Sequence, residues 1–143
     1  MPDLSLAIAD VIVDAALALG AKDGLNPLAI VVLDAGAHTV VSKRQDGTSL
    51  FRMQIASGKA TGALGMGYGT RELASRAAGS PNFYMGLMAL TGEVVPSPGG
   101  VLIRDAGGRL LGAVGISGET GDADETVALA GITAAGLIGQ AGA

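Results

Sequence analysis

Two short apolar runs joined by Asp105-Ala106-Gly107-Gly108 constrain this chain more than any other feature. Val101 to Arg104 and Leu110 to Ile116 are aliphatic and β-branched. Pro96-Ser97-Pro98-Gly99-Gly100 bounds them on one side and Ser117-Gly118 on the other. An Asp and two glycines between such runs are hairpin chemistry, so the runs fold back on each other as antiparallel strands. Leu28 to Leu33 and Thr39 to Val41 repeat the pattern around Asp34-Ala35-Gly36-Ala37, and the second of them runs into Lys43 and Arg44. Two hairpins exclude a doubly wound parallel sheet.

Helical periodicity surrounds the hairpins. Leu4 to Leu19 carries Leu4, Ile8, Val11, Ala15 and Leu19 at spacings of three and four, with Asp3 or Ser5 as cap and Gly20 as stop. Ser49 to Leu64 places Phe51, Ile55, Ala56, Ala60 and Ala63 on one face, and its small residues let a helix lie close to its neighbour. A short helix from Arg71 to Ala77 follows, capped by Thr70, and Phe83 to Leu90 reads equally as helix or strand. Asp122-Ala123-Asp124-Glu125 opens a last helix, with Asp122 as its cap and Val127, Ala130, Ala134 and Ile138 as its core stripe. Residues 1–143 thus read as a single α+β domain with helices layered on an antiparallel sheet.

Composition excludes several functions. The chain has no cysteine and one histidine, so disulfides, thiolate chemistry, zinc or iron–sulfur sites built on cysteine and multi-histidine metal sites within one chain are ruled out. With a net charge of −4 and 3% aromatic residues, the chain has neither the basic footprint nor the stacking platforms of a nucleic-acid binder. No apolar run reaches membrane-spanning length and none forms a secretory leader, so the expected location is the cytoplasm, away from membranes. Apolar residues make up 49% and charged residues only 15%, with a mean hydropathy of +0.49. Such a chain leaves apolar surface that burial between subunits would cover, and a homo-oligomer is expected.

Several segments resemble the GlcG/HbpS family, which is related to the PduO C-terminal domain. They are Val31-Val32-Leu33-Asp34 with His38, Ser42-Lys43-Arg44-Gln45-Asp46-Gly47, Ile55-Ala56-Ser57-Gly58-Lys59-Ala60, Pro98-Gly99-Gly100, Gly112 to Gly118 and Asp122-Ala123-Asp124-Glu125. The resemblance spans nearly the whole chain. It implies a profilin-like, five-stranded antiparallel sheet with flanking helices, a homo-oligomer, and small-molecule binding that in some relatives is haem binding. It also implies an accessory role in a catabolic or stress pathway. One departure is Gln45, where the family often has methionine. If that position lines a ligand pocket, the ligand should be more polar than haem.

The residues that could carry chemistry are few. His38 is the one strong nitrogen donor for haem iron, or else an exposed residue opening a strand. Met53, Met66, Tyr68, Tyr84, Met85 and Met88 are weaker donors. Lys59 among alanines is either a desolvated cation or a stem laid along the surface. Gly65, Gly67 and Gly69 leave backbone N–H groups open to a ligand just before Arg71, which could clamp a carboxylate. This run follows no strand and is not a dinucleotide fingerprint. Glu119, Asp122, Asp124 and Glu125 either compensate a helix dipole or pair with Lys59 or Arg71.

Two functions fit these residues. One is a protein binding a small planar or anionic molecule, haem included, at Arg44, Lys59, Gly67, Tyr68, Arg71, Gly99, Gly100 and Asp124. The other is a cofactor-free isomerase, tautomerase or hydrolase of a small oxo- or carboxylic acid. In that case Arg71 anchors the substrate while Lys59 and Glu125 move protons.

Overall fold

The computed structural model describes residues 3–143. Ten elements follow in order: α1 (Leu6–Lys22), β1 (Ala29–Asp34), β2 (Thr39–Arg44), α2 (Arg52–Met66), α3 (Thr70–Gly79), α4 (Pro81–Thr91), β3 (Gly100–Arg104), β4 (Leu110–Ser117), α5 (Gly121–Ala134) and β5 (Ile138–Gln140). The strands form one antiparallel sheet in the order β2-β1-β4-β3-β5. The α+β fold and its five strands agree with the expectation from sequence.

Both hairpins use one device. Asp34 Oδ1 accepts from the N–H groups of Gly36 and His38, each at 2.9 Å. Asp105 Oδ1 does the same for Gly107 at 3.0 Å and Arg109 at 2.9 Å. An aspartate ending a strand thereby satisfies the turn's free donors.

The sheet has two differently packed faces. Ile30, Val32, Val101, Val114 and Ile116 meet α1 and α5 on one face. On the other, Ala29, Val31, Leu33, Leu102 and Ala113 meet Ala56, Ala60 and Ala63 of α2. The close approach of α2 expected from its small residues is real. A Cβ on Gly115 of β4 would stand 1.9 Å from the Ala56 carbonyl oxygen.

Local details differ from the sequence reading. The buried face of α1 is Ala9, Ile12, Val13, Ala16 and Gly20, and Val11 is exposed. Ala9, Ala16 and Gly20 share this face with Ile12 and Val13, and α5 packs tightly on it. A Cβ on Gly131 would come within 2.4 Å of the Ile12 carbonyl. Gly20 lies inside the helix, and Ser5 is the cap. Phe51 precedes α2 and is exposed. Thr70 does not cap α3, since Gly69 takes that position and the Thr70 hydroxyl serves Gly100 instead.

The ambiguous segment is helical, α4, with Pro81 preset for its first turn. The cap of α5 is Thr120, not Asp122. Ile138 belongs to β5 rather than to the α5 stripe. Gly136, with φ of +75°, ends that helix, and the Leu137 N–H reaches back to the Ile132 carbonyl.

Candidate functional site

Lys59 and Arg71 both terminate on the first turn of α5. Lys59 Nζ donates to Asp124 Oδ2 at 3.1 Å and to the Ile116 carbonyl at 2.9 Å. Its exposure is 3%, and that of Asp124 is 1%. Burial pushes the Lys59 ammonium down and the Asp124 carboxyl up, each against the pull of the other's charge. The second Asp124 oxygen accepts from the Glu119 N–H at 3.1 Å. One residue further along α5, Glu125 takes a two-point contact from Arg71. Nε lies 2.9 and 3.1 Å from the two oxygens and Nη2 lies 2.7 Å from Oε2. Arg71 also pairs with Asp122, and its guanidinium is held firmly protonated by the two acids.

Glycine makes this junction close. Gly99 has φ of +123°, and a Cβ there would meet Lys59 Nζ at 2.8 Å. At Gly100 a Cβ would meet the Lys59 carbonyl at 2.4 Å, while the Gly100 N–H donates to Thr70 Oγ1 at 2.7 Å. Lys59, Arg71, Gly99, Gly100, Asp124 and Glu125 therefore come together at the start of α5, with Lys59 paired to Asp124 and Arg71 to Glu125. They do so as a ring of mutual contacts that fastens α2, α3, β3 and α5.

Tyr68 stands beside this ring, with its hydroxyl 2.8 Å from that of Tyr84 and the Arg76 guanidinium 4.5 Å above its ring. Burial, helped by the Tyr84 hydrogen bond, pushes its pKa up to about 12. Gly67 ends α2 in the left-handed region.

Two predicted residues lie elsewhere. His38 sits in the β1–β2 turn with its side chain 81% exposed and Nδ1 3.2 Å from Asp34 Oδ1. Arg44 ends β2 opposite Ala29, exposed, and its guanidinium meets no carboxylate among the described residues. Gln45 is structural here, because its side-chain oxygen accepts from the Leu28 N–H at 2.8 Å.

A concavity lies on the other side of α2. A cleft of about 690 Å³ runs between that helix and the segment that follows α4, lined by Met53, Ile55, Ser57, Gly58, Glu93 and Val95 among others. Its position follows from two glycines one turn apart. A Cβ on Gly58 would meet Val95 at 2.8 Å, and one on Gly62 would meet Val94 at 3.4 Å. Their absence lets the 94–95 segment lie on the helix. Phe51, Gln54 and Thr61 complete the wall. This lining escaped the sequence reading, although the glycine pair at i and i+4 was a visible signal for a close crossing.

The start of α2 and His38 belong to opposite ends of β1. Arg52, the first residue of α2, donates to Ser117 Oγ at 3.3 Å, and Ser117 pairs with Ala29 at the start of β1. His38 lies beyond Asp34, at the far end of that strand, roughly 17 Å away. Among the described residues no three acidic or histidine side chains gather as a metal site, and no helix is long and apolar enough to cross a membrane.

Comparison with known proteins places this architecture. The solved PduOC–haem complex covers 93% of this chain and 95% of its own, with 29% identity and a TM-score of 0.83. A double mutant of HbpS from Streptomyces reticuli covers 93% and 87%, with 30% identity and a TM-score of 0.80. A 15.0 kDa protein from the dhaT-dhaS intergenic region of Citrobacter freundii is 29% identical over 102 residues, which is 71% of each chain. The family described as haem degrading protein HbpS-like matches residues 4–133. With that match over most of its length and the same sheet and helices, this chain belongs to the HbpS-like family.

Proposed function

We propose that this protein binds a flat, largely apolar small molecule in the cleft along α2, with haem as the first member of that class to test. The observation that carries the reading is the cleft itself. Its volume of about 690 Å³ falls within the range of roughly 300–1,000 Å³ typical of ligand sites. Phe51, Ile55 and Val95 supply apolar walls, and Gln54, Ser57 and Thr61 supply a few polar contacts.

These residues fit haem. Met53 brings a thioether of the kind that ligates haem iron. Haem, when bound, supplies an iron-centred redox group, and the chain supplies the walls and the exclusion of water. Relatives support the choice, since one solved neighbour is a haem complex.

The reading as a Lys59, Arg71 and Glu125 enzyme has less support, because each of those groups is already engaged by another. The same proposal includes an assembly of several copies and a carrier or accessory role in the cytoplasm.

Haemin titration followed at the Soret band tests this. We expect a shifted band that saturates at one haemin per chain. Ser57→Trp, which fills the cleft, should weaken binding about tenfold or more. Met53→Ala should move the band, and His38→Ala should leave it in place. A band indifferent to Ser57→Trp and Met53→Ala but abolished by His38→Ala would relocate the site to the β1–β2 turn and overturn the cleft reading.

A further inference from the structure

We propose that Glu93 sets the charge preference of the cleft, favouring a planar ligand whose outer end carries a cation or N–H donor over one that ends in a carboxylate. The inference rests on the cleft being the binding site.

Glu93 is the one charged residue in the wall. Its carboxylate meets no cation or hydrogen-bond donor among the described residues, so it is free to meet a ligand. Its position is held from both sides. Gly92, with φ of +68°, ends α4 just before it, and Val94 and Val95 just after it lie against Gly62 and Gly58. The Glu93 backbone cannot withdraw from the mouth without lifting those two valines off α2.

No basic side chain balances it there. Arg52 turns to Ser117 on the sheet side of α2, and Lys59 is buried against Asp124. Arg44 lies on β2, outside the lining. The remaining polar groups of the wall, Gln54, Ser57 and Thr61, are neutral and accept either kind of ligand. The chain as a whole adds a net charge of −4, which reinforces the preference for a cation. Glu93 is exposed, so the effect is that of a screened surface charge, about two- to fivefold in affinity per unit charge.

The test uses three probes with one ring system: 1-pyrenemethylammonium, 1-pyrenemethanol and pyrene-1-carboxylate, with binding followed by pyrene fluorescence. The intact protein should bind the ammonium most tightly and the carboxylate least. Glu93→Gln should compress that order two- to fivefold at each end and leave the alcohol unchanged, and Glu93→Lys should invert it. Haemin, a dicarboxylate, should bind Glu93→Gln more tightly than the parent.

Probes that bind and are displaced by Ser57→Trp, yet keep the same order in Glu93→Gln, would overturn the role of Glu93 and leave the cleft standing. Probes that fail to bind, or bind equally well to Ser57→Trp, would overturn both.

Discussion

Lys59 stands in the interior on two hydrogen bonds, one to Asp124 and one to the Ile116 carbonyl. Burial disfavours the charged form of each partner more than the other's charge favours it, the usual balance for a pair taken out of water. Such a pair adds little net stability, yet losing one member leaves a lone buried charge. Lys59→Met should therefore destabilise the fold by about 3–5 kcal/mol, measured by urea unfolding, and Lys59→Met with Asp124→Leu should recover most of the loss. A single variant as stable as the parent would mean that water reaches Asp124. The residue scale also shows what sequence can say of a lysine among alanines. The alanines around it left both an inward and a surface placement open, and the acids that could pair with it were visible, but which of them it meets, Asp124 across 65 residues, was not.

Helix α2 decides how the sheet, the ion pairs and the cleft relate to one another, and its glycines act in opposite ways. Gly115, beneath the helix on β4, leaves room for the Ala56 carbonyl, which an added Cβ would strike at 1.9 Å. Gly115→Ala should push α2 outward, lower stability by about 3 kcal/mol or more and weaken any cleft ligand. Gly65, near the end of the same helix, faces open space. Gly65→Ala should raise stability by about 0.5–1 kcal/mol through helix propensity alone. Thermal unfolding of the two variants side by side checks both signs, and similar behaviour would refute the close-approach argument. The alternation of glycine with other residues drew attention to positions 65 to 69 in the sequence. Of that run only Gly69 makes a close tertiary approach, with an added Cβ 2.1 Å from the Ala141 carbonyl oxygen, and Gly58, Gly99, Gly100 and Gly115 outside it likewise face another backbone or side chain across a tertiary contact.

At the scale of the molecule, α4 is an apolar helix without a lid. It contains no charged residue and buries only Tyr84, while Phe83 and Met85 are 62% exposed and Leu90 is 84% exposed. A patch of this kind marks a contact surface. An uncharged helix can meet its own copy without like-charge repulsion, whereas most of this acidic chain cannot. Leu90→Glu together with Phe83→Glu should convert an assembly into single chains, read as a fall in mass by sedimentation velocity. An unchanged mass would remove α4 from the proposed interface. Both side chains are mostly exposed, so the fold itself should survive.

Sequence alone determined the two hairpins and most of the helices. The turns at Asp34 and Asp105, the helix periods and the small face of α2 all depend on residues within a few positions of each other, where local sterics and hydrogen bonding act. Only the tertiary structure decided which face of α1 points inward and that residues 138–140 extend the sheet. It likewise decided that Lys59 and Arg71 are matched by acids and that the cleft opens on the far side of α2. Those outcomes depend on which surfaces meet across tens of residues of chain. Close packing settles them through small differences in side-chain volume that no short window of sequence displays.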